Sequence, residues 1–119
     1  MILVDTSIWI DHFRRPNVRL ATLLNNGEVL THGFIIGELA LGNMANRKVV
    51  LSLLCDLAMA PTAQEGDVLE LIERRSLHGA GIGYVDAHLI AAALLAASLL
   101  WTRDRRLQSV AARIGISLQ

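Results

Sequence analysis

Four acids in this chain stand where solubility alone does not explain a carboxylate. Asp5 ends the apolar run Ile2-Leu3-Val4, Asp86 opens YVDAHLIAAALL, Asp104 follows LLWT, and Glu38 lies inside GFIIGELALG. Each aspartate taken singly is accounted for as a helix cap, accepting from backbone N–H groups that the first turn leaves free. Glu38 resists that account. Its helical neighbours at three and four residues are Phe34, Ile35, Leu41 and Gly42, so the pattern predicts a carboxylate shut away from water. A buried carboxylate without a partner tends to protonate, so it calls for an arginine or a metal ion. Four such groups brought together repel one another unless divalent cations neutralise them. All-oxygen ligands of this hardness suit Mg²⁺, with Mn²⁺ as a substitute. A site of that kind activates water and stabilises both the attacking and the leaving oxygen at a phosphodiester.

The elements that would position these acids alternate as in a parallel α/β protein. Strands are expected at Ile2-Asp5, Glu28-Thr31, Ala58-Ala60, Leu99-Thr102 and Ile116-Leu118. Between them, helices are expected through Trp9 and Phe13 as far as Pro16, then at Val18-Asn25, Gly33-Leu41 and Arg47-Leu57. Further on they are expected at Gln64-Leu77, Tyr84-Ser98 and Asp104-Arg113. In Gln64-Leu77 the period places Val68, Leu69, Leu71 and Ile72 inward and Glu70, Glu73 and Arg74 outward. HGAGIGYVD reads as a flexible connection, since no Gly-Lys-Ser/Thr follows its glycines and their spacing is not the dinucleotide fingerprint. In an open parallel sheet the crevice beyond the carboxyl ends of the strands is where ligands bind. Asp5, Asp86 and Asp104 can all reach that rim, and Glu38 sits about two turns into the helix leaving strand two.

Composition bounds the alternatives. The 119 residues are enough for one domain with one core, and 53% of them are hydrophobic. Eleven basic residues balance eleven acidic ones, so no global field draws the chain to nucleic acid or membrane. Cys55 is the sole cysteine, which excludes an internal disulfide and a cysteine-rich zinc site. The charge-free stretch from Ala87 to Thr102 falls short of the ~20 residues of a membrane span. With no basic leader before Asp5, the expectation is a soluble cytoplasmic protein.

LVDTSIWID, the mid-helix Glu38 of GELALG, GIGYVDAHLIAAALL and LWTRDRRL together resemble the four motifs of PIN-domain ribonucleases. The likeness is greatest to the VapC-type toxins of bacterial toxin–antitoxin pairs, and it spans the chain from residue 2 to its last strand. The resemblance implies a three-layer fold with a central five-stranded parallel sheet, order 3-2-1-4-5, flanked by helices. It implies that Asp5, Glu38, Asp86 and Asp104 are the catalytic, metal-binding quartet, with Thr6, Ser7 and Thr102 as polar supports. It further implies Mg²⁺-dependent cleavage of an RNA such as a tRNA or rRNA loop, leaving a 5′-phosphate and a 3′-hydroxyl. Inhibition by a cognate VapB-type antitoxin, a homodimer and a toxin–antitoxin hetero-oligomer belong to the same expectation.

Arg103, Arg105 and Arg106 flank Asp104, and Arg14, Arg15 and Arg19 follow the first helix. A solvated face is the ordinary reading of such groups, and their place beside the cleft makes them candidates for RNA phosphates. His12, His32, His78 and His88 have no metal-ligand spacing and are assigned to surface or core. Trp9 and Trp101 are assigned to the core, and Cys55 to a small buried hydrophobe. A phosphoacceptor receiver domain would want a late lysine, whereas the only lysine is Lys48, and would leave Glu38 idle. A silent binding module would not need four intact acids.

Overall fold

A computed structural model describes all residues, Met1–Gln119. Its strands are β1 (Ile2–Val4), β2 (Val29–Thr31), β3 (Ala58–Met59) and β4 (Leu99–Trp101). They form one parallel sheet of order β3-β2-β1-β4, with Ile2 opposite both Val29 and Leu99 and Leu30 opposite Ala58. The helices are α1 (Thr6–Arg14), α2 (Val18–Asn25), α3 (Gly33–Leu41), α4 (Arg47–Cys55), α5 (Glu65–Arg74), α6 (Tyr84–Leu95) and α7 (Arg105–Ile114). No helix is long and apolar enough to cross a membrane.

β1 is central and every residue in it is buried, as a strand covered by helices on both faces must be. Leu3, Val4, Leu30, Leu100, Leu20, Ile35 and Leu89 belong to a single core cluster. α6 runs through this core: Ala87 to Ala93 are all buried. Its alanines carry little bulk, which lets neighbouring elements approach from several sides. α2 ends where Gly27 takes φ +67°, and the N–H groups of Gly27 and Glu28 return to Leu24 and Leu23. That closure turns the chain directly into β2.

The fifth strand is reduced to one parallel bridge between Leu100 and Ser117. The reason lies in β4, which has three residues. Leu99 N–H and Trp101 C=O face β1, bonding Met1 O and Asp5 N. Only Leu100 presents both backbone groups to the outer edge, where it bonds Ile116 O and Leu118 N. A strand that offers one residue supports one bridge and no ladder.

Several boundaries and faces differ from the sequence expectation. α5 ends at Arg74 and α6 at Leu95; the latter is closed by Ala97 in the left-handed region and by Ser98 N–H bonding Ala93 O. Leu69 points outward at 57% exposure while Val68 is fully buried, because the inward stripe through Val68, Leu71 and Ile72 leaves position 69 about 100° away. Cys55, expected inside, closes α4 and is exposed.

Candidate active site

β1 delivers Asp5 to the carboxyl edge of the sheet, where its backbone N–H still bonds Trp101 O at 2.9 Å. Its carbonyl accepts from Ile8 N–H at 3.0 Å, so the residue starts α1. Its side chain, however, makes no capping bond. Oδ2 instead accepts two hydroxyl protons, from Ser7 Oγ at 2.8 Å and Thr102 Oγ1 at 2.7 Å. Each hydroxyl in turn accepts a backbone N–H at 3.0 Å: Ser7 from Arg103 and Thr102 from Asp104. A hydroxyl has one proton to give, so this arrangement fixes both rotors with that proton on Asp5. Asp5 is 8% exposed, and its carboxylate is held by charge-assisted bonds. Capping does not explain it.

Glu38 corrects one premise of the sequence argument. α3 does have a solvated side, on which Phe34 and Leu41 are exposed and Glu38 lies with them. Its partner is neither an arginine nor burial: Thr6 Oγ1–H donates to Oε1 at 3.2 Å. Partial burial raises its pKa above the usual carboxylate value. The Thr6 bond opposes that rise, while the charges of Asp5 and Asp86 add to it.

Asp86 sits in the first turn of α6, half-buried, and accepts the Gly83 N–H at Oδ2, 2.9 Å. Burial raises its pKa, the Gly83 bond works against this, and Asp5 and Asp104 push it further up. Asp104 does what the capping account requires, with Oδ1 accepting from Leu107 N–H at 3.0 Å. The fold therefore brings Asp5, Glu38 and Asp86 within electrostatic reach of one another and adds Asp104 beside Asp86.

No cation neutralises this group. The two ion pairs of the molecule are Arg74–Glu70 and Arg103–Asp11, and neither involves the four acids. Each acid binds protein donors through one oxygen, leaving Asp5 Oδ1, Glu38 Oε2, Asp86 Oδ1 and Asp104 Oδ2 without a protein donor. Three such groups do not stand close enough to clasp a single ion directly. The donor set is nonetheless all hard oxygen, carries unbalanced negative charge and retains open lone pairs, which fits Mg²⁺ or Mn²⁺ better than any softer ion.

The supporting residues divide in a way that residue types alone do not reveal. Thr6 serves Glu38, whereas Ser7 and Thr102 serve Asp5. The Arg103 side chain reaches back to Asp11. Arg105 and Arg106 are exposed and line, with Arg113, a cavity of about 330 Å³; Gly81 leaves room for the Arg106 side chain, which a Cβ there would overlap. HGAGIGYVD thus supplies the Gly83 donor and the seat of Arg106 as well as a connection.

His32 and His88 are buried. His32 Nδ1 caps α3 by accepting from Phe34 N–H at 3.0 Å, and burial, then His88, holds its pKa down. His12 Nδ1 accepts from Asn17 N–H at 2.9 Å. Trp9 is in the core. Trp101 is only half-buried and has the Arg19 guanidinium 5.4 Å from its ring centre. The sequence signal for that departure is the Thr-Arg-Asp turn that follows Trp101 directly, and the structure makes Trp101 the last residue of β4.

The PIN-domain family model matches residues 2–113. Over 119 residues the chain is 47% identical to Ribonuclease VapC32 of Mycobacterium tuberculosis, with 99% of this chain and 96% of the relative covered. Among solved structures, PAE2754 from Pyrobaculum aerophilum superposes with a TM-score of 0.68 at 15% identity, covering 98% of this chain and 87% of that one. FitAcB from Neisseria gonorrhoeae gives 0.63 at 22% identity over 94% of each. At those identities the structural likeness speaks to the fold.

Proposed function

Because the chain belongs to the PIN-domain family and to its VapC-type ribonucleases, we propose that it is a divalent-metal-dependent endoribonuclease and the toxin of a toxin–antitoxin pair. Asp5, Glu38, Asp86 and Asp104 are its catalytic and metal-binding residues. The observation that carries this reading is Asp5: a buried carboxylate ending the central strand, aimed by two hydroxyls and left without a basic partner. Mg²⁺, or Mn²⁺ in its place, supplies positive charge against the phosphodiester and acidifies water. Asp5 is oriented by Ser7 and Thr102. Glu38 and Asp86 are held through Oε1 and Oδ2 and keep Oε2 and Oδ1 free of protein donors, available to the cation or to the attacking water. Asp104 adds charge while capping α7. Arg103, Arg105 and Arg106 lie on either side of Asp104 and contact RNA phosphates.

Zero net charge gives weak general affinity for RNA, so cleavage is selective for a presented loop of tRNA or rRNA rather than indiscriminate. The cognate VapB-type antitoxin seats an amphipathic segment in the apolar groove of Trp9, Phe13, Leu24, Val50, Leu53 and Leu57, about 270 Å³ in volume. Exposed Leu69 and Leu95 support a homodimer, and the complex is then a hetero-oligomer acting in the cytoplasm as one PIN domain. The test is cleavage of a structured RNA by purified protein with Mg²⁺, with Mn²⁺ and with chelator. Metal-dependent cuts leaving 5′-phosphates are expected, together with calorimetric metal binding that Glu38→Gln weakens. Cleavage that persists in chelator, or no metal binding at millimolar concentration, would refute the metal-dependent reading.

A further inference from the structure

Zero net charge does not prevent local concentration, and three arginines meet in one hollow next to the Thr-Arg-Asp turn. A cavity of about 540 Å³ is lined by Arg14, Arg15, Arg103, Asp11 and Trp101 among others, and Arg19 lies over the Trp101 ring at 5.4 Å. Asp11 is the one acid in its lining, and it is already paired with Arg103. Arg14 and Arg15, exposed at the end of α1, have no acid partner. Two free guanidiniums therefore border a half-buried indole in a space of the size small ligands occupy.

The hollow adjoins the acids through Arg103. That residue stands between Thr102 and Asp104, and its N–H bonds Ser7 Oγ at 3.0 Å, one bond from Asp5. The bland account of Arg14, favourable charge at a helix C-terminus, explains neither the concavity nor the aromatic ring in it.

We propose that this hollow is a nucleotide subsite, which holds the unpaired nucleotide flanking the scissile phosphate with its base against Trp101 and its phosphate on Arg14 and Arg15. The proposal rests on the ribonuclease reading above and names the part of the substrate that this site grips. Arg19 covers one face of the Trp101 ring without lining the hollow, and the indole and the arginines that share the hollow match the π-face of a base and the charge of its backbone together. Only an unstacked base can enter, because a base inside a helix has both faces covered. The enzyme therefore cuts beside a splayed-out nucleotide.

The experiment uses Glu38→Gln protein, silent in cleavage, and a fluorescent single-stranded RNA of ten nucleotides whose binding is followed across a salt series. Arg14→Gln/Arg15→Gln is expected to lower the slope of log affinity against log salt by about 0.7, the release expected for one single-strand phosphate contact. Trp101→Leu is expected to weaken binding about fivefold or more; Trp101→Phe, which preserves packing, should keep most of it. An RNA with one abasic position should be insensitive to Trp101→Leu when that position is the one seated. Unchanged affinity and slope in the arginine and Trp101→Leu variants would overturn the subsite. If Glu38→Gln still abolishes cleavage in that case, the ribonuclease reading stands without it. An acidic peptide that binds wild type and loses affinity in Arg14→Gln/Arg15→Gln, while RNA binding is unaffected, would make the hollow a protein contact and also overturn it. A wild-type chain that cuts no RNA would sink the ribonuclease reading, and the binding series would still decide the hollow.

Discussion

Thr102→Val tests the hydroxyl network around Asp5 with little change of shape. Thr102 is buried at 4% exposure. Its hydroxyl donates to Asp5 Oδ2 at 2.7 Å and accepts from Asp104 N–H at 3.0 Å. A hydrogen bond to a charged group contributes about 1.5–3 kcal/mol, and an N–H left without an acceptor in a partly buried place costs roughly 1 kcal/mol more. Valine fills nearly the same volume, so no cavity term is added. The expected loss is about 2.5–4 kcal/mol, which for a chain of this size lowers Tm by roughly 10–16 °C. In an Asp5→Asn background the bond from Thr102 becomes one between neutral groups, about half as strong. The same substitution should then cost about 1 kcal/mol less, a coupling readable in a double-mutant cycle by urea denaturation. Loosening a group that orients a metal ligand should also lower Mg²⁺ affinity by about 10–100-fold, measured calorimetrically below the variant's Tm. A loss under about 0.5 kcal/mol, equal in both backgrounds, would mean that these hydroxyls do not hold Asp5 and that the orientation argument is wrong.

Asp5→Asn, Glu38→Gln and Asp86→Asn should each reduce cleavage at least 100-fold while remaining folded by circular dichroism; if all three unfold and none loses cleavage specifically, a structural role is the better account. Glu38 and Asp86 should make the metal-free protein less stable as pH rises above the ordinary carboxyl range, while buried His32, its pKa held down, works in the opposite sense as pH rises toward the ordinary histidine range. Glu38 and Asp86 have raised native pKa values, so between unfolded and native values the native state holds more protons and loses that advantage as they leave. Thermal scans from pH 4 to 7 check the sign at these two groups by comparing wild type with Glu38→Gln/Asp86→Asn, whose slope should be more positive. Added Mg²⁺ should raise Tm at pH 7, and much less at pH 4, where protons compete for the ligands. Leu53→Glu, placed at a residue 62% exposed in the apolar groove, should abolish capture of the co-expressed antitoxin with cleavage intact; an unchanged complex would move the docking site elsewhere.

The order of elements was legible because its signals are local. Ile2-Leu3-Val4 reads as a buried strand from hydrophobicity alone, Pro16 and Gly27 punctuate α1 and α2, and the uncharged run after Asp86 announces a core helix. What escaped depends on pairing. Ile116-Leu118 has the composition of a strand, but whether it becomes one is decided by how many residues of β4 face outward, and only Leu100 does. Leu69 and Cys55 are apolar residues that the helix period alone cannot bury, since the other side of the helix has to be supplied by an element far away in the chain.

The acids show the same division at finer scale. Asp5 and Asp104 look alike in sequence: each follows a strand and precedes a helix, and each is the backbone N-cap. Their carboxylates behave differently because Thr102, 97 residues from Asp5, offers its hydroxyl across the β1–β4 pair. Asp104 has no such donor and turns Oδ1 to Leu107. A local pattern cannot distinguish these outcomes, since both are good caps on paper. The difference decides what each substitution measures. Asn caps as well as Asp, so Asp104→Asn removes charge from the site and leaves α7 closed. Asp5→Asn removes charge and also weakens two hydroxyl bonds at once. A loss of cleavage in Asp104→Asn with an unchanged Tm therefore isolates the electrostatic contribution of a carboxylate, which no substitution at Asp5 can do.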